Sequence, residues 1–163
     1  MSRYGHLTNE MRRSLGKIAP TVVFSTKYYP CDIRLNGGNI IERVIVVEER
    51  GYFARWGVWP EHDIYKRSIL ISEVAEIFES RHRLPAKEAQ KIYDGGESGM
   101  GYYLWSVNFK DGFEYTYVGG VVDFIVYPDG YNFNDIDSVY IGDVGASTRR
   151  INAPEFHWCI YSI

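Results

Sequence analysis

The residues able to do chemistry here are one serine set among glycines, four histidines, two cysteines and a run of carboxylates. The string Gly95-Gly96-Glu97-Ser98-Gly99-Met100-Gly101 offers a hydroxyl nucleophile and amides that could cradle an anion. Its surroundings argue against both uses. A phosphate loop leads from a strand into a helix, so that amides and the positive helix end face the anion. Here helical spacing precedes the string and strand alternation follows it, so the helix end on offer is the negative one. A nucleophile elbow would need glycine at Met100, and again the order strand, turn, helix. The plain structural reading is a helix-to-strand connection in which glycines take positive φ.

Over four residues, Gly96-Glu97-Ser98-Gly99 resembles the serine segment of chymotrypsin-like proteases. That chemistry needs a base and an orienting carboxylate, and the fold would have to bring His62 or His82 to Ser98. His62, in Pro60-Glu61-His62-Asp63, has carboxylate neighbours that would raise its pKa and suit a general base. A small hydrolase with Ser98 or His62 in its site is therefore the second functional reading. The histidines His6, His62, His82 and His157 are isolated, with no His-x-x-x-His or Cys-x-x-Cys spacing, so neither metal nor cofactor is expected. Cys31 and Cys159 are too few and too far apart for a disulfide framework and read as reduced thiols of a cytoplasmic protein. The string from Asp129 to Asp137 has the oxygen content of a calcium loop, but Tyr131 and Phe133 occupy ligand positions, which leaves turn capping. Trp56, Trp59, Tyr28 and Tyr29 could build an aromatic platform, and a carbohydrate-binding module is the third reading.

Charge gives the first reading. The 163 residues carry a formal net charge of −3, unevenly spread. Over 111–148 there are seven carboxylates (Asp111, Glu114, Asp123, Asp129, Asp135, Asp137 and Asp143) and no Lys, Arg or His. Such a segment repels phosphates, which excludes a nucleic-acid partner, and attracts a basic one. Lys66-Arg67, Arg81-His82-Arg83 and Arg149-Arg150 are small basic clusters read as solvated surface. With no catalytic signature assembled, the sequence points to a protein-binding protein, such as an immunity or inhibitor protein. Asp123, Asp129, Asp135, Asp137 and Glu97 are its candidate partner-binding residues. No apolar run is long enough for a bilayer, so no membrane is expected, and an exposed edge strand could pair two copies.

The elements that would position these groups follow from periodicity. The composition, 45% hydrophobic and 16% aromatic, suits one strand-rich domain over 1–163. Alternation through Tyr103, Trp105, Val107 and Phe109, resumed after Lys110-Asp111-Gly112 by Phe113, Tyr115 and Tyr117, predicts a hairpin over 101–118. A three-residue loop with left-handed Gly112 pairs Val107 with Tyr115 and Trp105 with Tyr117 and gathers the rings on one face, whereas a two-residue turn scatters them. A second hairpin is expected over 40–59, its first strand apolar on both faces at Val44 to Val47 and its second carrying Tyr52, Ala54, Trp56 and Val58. Further strands are expected near 121–126, 138–141 and 156–161, and another from Thr21 to Thr26 ended by Pro30. Ser72 with Val74, Ile77 and Phe78 predicts a helix over 72–80, and Pro85 with Ala89, Ile92 and Tyr93 one over 85–94. Thr8 opens a short helix through Met11, Leu15 and Ile18. The fold class expected is α+β, a mainly antiparallel sheet with two short helices.

Overall fold

The computed structural model describes residues 2–143 and 150–163, so Arg149 lies outside the described residues. In chain order it forms α1 (Asn9–Leu15), β1 (Thr21–Val23), β2 (Thr26–Leu35), β3 (Ile40–Glu48) and α2 (Glu49–Trp56). Next come β4 (Ser68–Leu70), β5 (Val74–Phe78), α3 (Ala86–Gly95), β6 (Tyr103–Phe109) and β7 (Glu114–Gly119). β8 (Ile136–Ile141), β9 (Arg150–Asn152) and β10 (His157–Tyr161) complete the described elements, and the class is α+β. The chain divides into a first unit, Met1–Ser80 with Glu155–Ile163, and a second, Arg81–Pro154.

The first unit is one sheet ordered β1-β2-β3-β10-β4, with β5 also paired to β2. It is mixed rather than mainly antiparallel, because β10 runs parallel to both β3 and β4. Side-chain alternation is the same in either direction, so periodicity carries no information on strand polarity. The apolar run Val44 to Val47 behaves as expected of a central strand: all four residues are fully buried. Val44 and Val46 join Met11 and Leu15 of α1, Cys31 and Cys159 in one core cluster. Ile45 and Val47 turn the other way, to the face where Trp158 lies beside Ile45 and meets Tyr28 and Tyr52 edge-on at 5.3 and 5.1 Å.

Four expected elements differ. Residues 49–56 form helix α2 rather than the return strand of a hairpin. Glu48 caps Gly51 N–H at 3.2 Å, Gly57 closes the helix at φ 71, and buried Tyr52 recurs as Trp56 at i+4, a spacing that period two also fits. Residues 74–78 form strand β5, preceded by a 3-10 turn, instead of a helix over 72–80. An irregularity in its pairing, where Leu35 meets Val74 and Arg34 meets Glu76, puts Val74 and Ile77 inward at what reads as helical spacing. β2 runs straight through Pro30, which sits on its second side between the β1 pairing at Tyr28 and the β5 pairing at Asp32. Residues 121–126 form no strand. They are a mostly buried, irregular stretch with one bridge, Arg83 to Phe124.

The second unit is a sheet ordered β8-β6-β7-β9, with β9 parallel to β7. The ribbon takes the expected register: Val107 opposes Tyr115 and Trp105 opposes Tyr117, with Gly112 at φ 94 and Phe109 N–H donating to Phe113 O at 2.8 Å. Trp105 and Tyr117 stack at 5.9 Å. The opposite face is also buried at Ser106 and Thr116. Ser106 Oγ–H donates to Gly142 O at 2.8 Å, which leaves the Thr116 hydroxyl to donate to Ser106 Oγ at 2.8 Å. α3 covers the sheet with Ala89, Ile92 and Tyr93, as its spacing predicts, and a side chain at Gly95 would overlap Ile141.

The seat of α2 in the first unit can be tested. A Cβ on Gly51 would overlap Thr26 Cγ2 and Oγ1, so Gly51→Ala should cost about 1–3 kcal/mol in urea unfolding. Adding Thr26→Ala should recover about half of that. Equal losses with and without Thr26→Ala would mean that the helix is not pinned at this contact.

Candidate functional site

The closed end of the β6–β7 ribbon brings together side chains that lie up to about twenty-five positions apart. Its turn supplies Asp111, Phe113 and Glu114, and the segment entering β8 supplies Asp129, Tyr131, Phe133 and Asp135. Local chemistry fixes each part. Asp111 Oδ1 accepts Phe113 N–H at 3.1 Å, an Asx turn that stiffens the loop. Pro128-Asp129-Gly130 closes through Tyr131 N–H to Pro128 O at 3.0 Å, with Gly130 at φ 85. Asn132 and Asp135 form a reciprocal capping box around the turn Phe133–Asp135, as the oxygen-rich string suggests.

Two hydrogen bonds then tie the segments together. Lys110 N–H donates to Asp135 O at 2.8 Å, and the Tyr131 hydroxyl donates to Asp111 Oδ2. Tyr131 packs on Phe109 at 4.5 Å and on Tyr115 at 6.4 Å. The bond to Asp111, helped by desolvation and by the carboxylate charge, pushes the Tyr131 pKa up to about 12. The outcome is a hydrogen-bonded platform with Phe113 61% and Phe133 49% exposed. The turns beside it carry the carboxylates of Asp111, Asp129 and Asp135, with Lys110 the one ammonium, whereas Glu114 opposes Asn108 and alternates onto the Ser106–Thr116 face.

Of the five candidate partner-binding residues, Asp129 and Asp135 belong to this platform. Asp123 does not reach the surface: it is fully buried, with Oδ2 accepting the Tyr93 hydroxyl and its backbone oxygen accepting Leu84 N–H at 2.8 Å. Its place on an acidic face is thereby corrected, because a carboxylate between Val122 and Phe124 on a buried stretch is drawn inward with its donors. Asp137 lines a cleft of about 710 Å3 beside α3, together with Lys87 and Lys91. Glu97 accepts Gly101 N–H at 3.3 Å within the glycine-rich connection.

Ser98 Oγ accepts Leu104 N–H at 2.9 Å, and no histidine or carboxylate bonds it among the described residues. Gly96 and Gly101 take φ of 83 and 79, as a glycine-rich connection requires. His62 is exposed at the end of the turn Pro60–His62, while its neighbour Glu61 bonds Arg3 and Tyr4, and Asp63 accepts Tyr65 N–H. Trp105 and Trp158 are buried. Trp59 carries the Arg3 guanidinium 5.0 Å above its ring, and Trp56 carries Lys66 Nζ at 3.4 Å. Two of the basic residues read as solvated surface are therefore not: Lys66 lies on an indole and Arg83 is buried. Arg150 is paired with Asp143 at 2.9 Å. No helix among the described residues is long and apolar enough to cross a membrane.

Sequence reasoning found the acids of the platform but not its rings. Phe113 continues the inward series of Phe109, and only its position beside the turn signals that it emerges. Tyr131 and Phe133 alternate with Gly, Asn and Asp, a pattern in which the rings are the unusual members.

Two measurements check this geometry. Asp123→Ala should destabilise the chain by about 2–5 kcal/mol while Asp129→Ala leaves the thermal midpoint unchanged. Similar midpoints for both would place Asp123 outside the core. With tyrosine ring carbons followed by NMR, Tyr131 should ionise near pH 12 and move toward 10 in Asp111→Asn. A raised folded pKa means that the bond stabilises fully below pH 10 and is lost as pH rises to about 12. Comparison of the chain with protein families, with curated proteins and with solved structures finds no match, so the functional reading grows from the chemistry of this platform alone.

Proposed function

We propose that the protein is a protein-binding protein of the immunity or inhibitor kind, working in the cytoplasm, which docks a partner with a basic surface on the acid-and-aromatic end of its second unit. The observation that carries this reading is the presence of exposed Phe113 and Phe133 with the carboxylates of Asp111, Asp129 and Asp135 on a hydrogen-bonded frame. Aromatic rings supply the buried anchors of protein interfaces, and carboxylates around them select Lys and Arg and steer their approach. Rings beside acids also favour cations through ring faces as well as charge. Because the turns are already bonded to one another, little ordering entropy is spent on association.

The test is a photo-crosslinking residue placed at Phe133, with a matched one at exposed Phe24 in the first unit as control. A basic protein captured at 133 and not at 24, then purified, should bind with salt-sensitive affinity. Asp129→Lys, which removes no hydrogen bond described above, should weaken it at least about tenfold, whereas Glu114→Lys on the reverse face should change it less than about twofold. Equal capture at both sites, or an affinity indifferent to Asp129→Lys, would overturn the proposal.

A further inference from the structure

The first unit holds a cleft of about 680 Å3 beside α2, within the range of small-molecule sites. We propose that it binds a small carboxylate with a flat apolar body, a function separate from the platform of the second unit. Its floor is Phe53, Ala54 and Trp59. The Phe53 and Trp59 rings are tilted by 30° with centroids 4.6 Å apart, and Phe53 is 43% exposed, so an apolar ring has surface to cover.

The charge that selects the ligand follows by elimination among the three charged side chains of the lining, Arg3, Glu49 and Arg50. Arg3 donates from Nε and Nη2 to Glu61 Oε1 at 3.1 and 2.8 Å while lying over Trp59, so its fork is already used. Glu49 Oε2 accepts Arg3 N–H at 3.0 Å. Burial pushes its pKa up, but donors from Arg3, Ser162 and Tyr4, with the Arg50 charge beside them, outweigh this and hold the carboxyl below its ordinary value. A ligand ammonium would find those oxygens already engaged. Arg50 is exposed, and its charge acts on Glu49 without a direct ion pair or side-chain hydrogen bond among the described residues. Its planar fork matches a carboxylate in a bidentate pair. An apolar floor, a guanidinium whose donors are not bonded and an acid whose oxygens are engaged thus favour an aromatic anion over the same ring bearing a cation.

The experiment uses the full chain with two probes that share a ring and differ in charge, indole-3-acetate and tryptamine. From the usual energy per atom of small ligands, indole-3-acetate should saturate with a Kd on the order of 1 mM. Its shifts should centre on the Trp59 indole and Phe53 in NMR, and it should bind at least about tenfold more tightly than tryptamine. Arg50→Gln should reduce that preference to about twofold or less, and Phe53→Ser should weaken both probes. Circular dichroism checks that each variant is folded, and Arg50→Gln, an exposed change, decides the case if Phe53→Ser unfolds. Equal affinity for the two probes, shifts centred in the second unit, no saturation by about 5 mM, or a preference that survives Arg50→Gln would each overturn the proposal.

Discussion

A strand repeats every two residues, so a ribbon displaced by one position turns its whole apolar series to water. In the second unit that displacement is prevented by a three-residue turn, in which Gly112 takes the left-handed conformation and Phe109 and Phe113 close the last hydrogen bond. Much else follows from this closure. It sets Trp105 against Tyr117, leaves Phe109 to meet Tyr115 and Tyr131, and turns Lys110 N–H toward Asp135 O. With a two-residue turn the rings would divide between faces, and the platform formed with the segment entering β8 would lose its base.

The first unit solves a different problem, a strand apolar on both sides. β3 is buried by α1 and the core cluster on one face and by an aromatic group around Trp158 on the other. That second cover requires a helix after Glu48 rather than another strand. Gly51 lets the helix come close enough to β2 that Thr26 fills the space of its missing side chain. The same helix supplies Phe53 and Arg50 to the lining of the cleft beside Trp59, so a packing requirement and a candidate binding surface share one element.

Charge alone is a poor guide to surface. Seven acids over 111–148 suggest a single negative face, yet their neighbours send them to different places. Asp123 goes inward to the Tyr93 hydroxyl, Asp143 pairs with Arg150, and Asp137 lies beside two lysines. On the platform, Asp111 and Asp135 are held by an Asx turn and a capping box, which keep their carboxylates at the surface while using part of their oxygens, and Asp129 stands exposed in the turn before Gly130.

The sequence by itself determined what depends on near neighbours along the chain. The register of the 101–118 ribbon, the Thr8 cap of α1, the inward face of α3, the two-sided burial of Val44 to Val47 and the α+β class all follow from side-chain period and turn stereochemistry. Tertiary structure decided what depends on partners distant in the chain. Residues 49–56 and 74–78 have patterns that fit either period, and packing against β2 and β3 chose helix for the first and strand for the second. Polarity of β9 and β10 leaves no trace in alternation, and the inward turn of Asp123 required a hydroxyl thirty positions away. The meeting of Asp111 with Tyr131, and of Phe53 with Trp59 across a tight turn, likewise exists only once the backbone has folded.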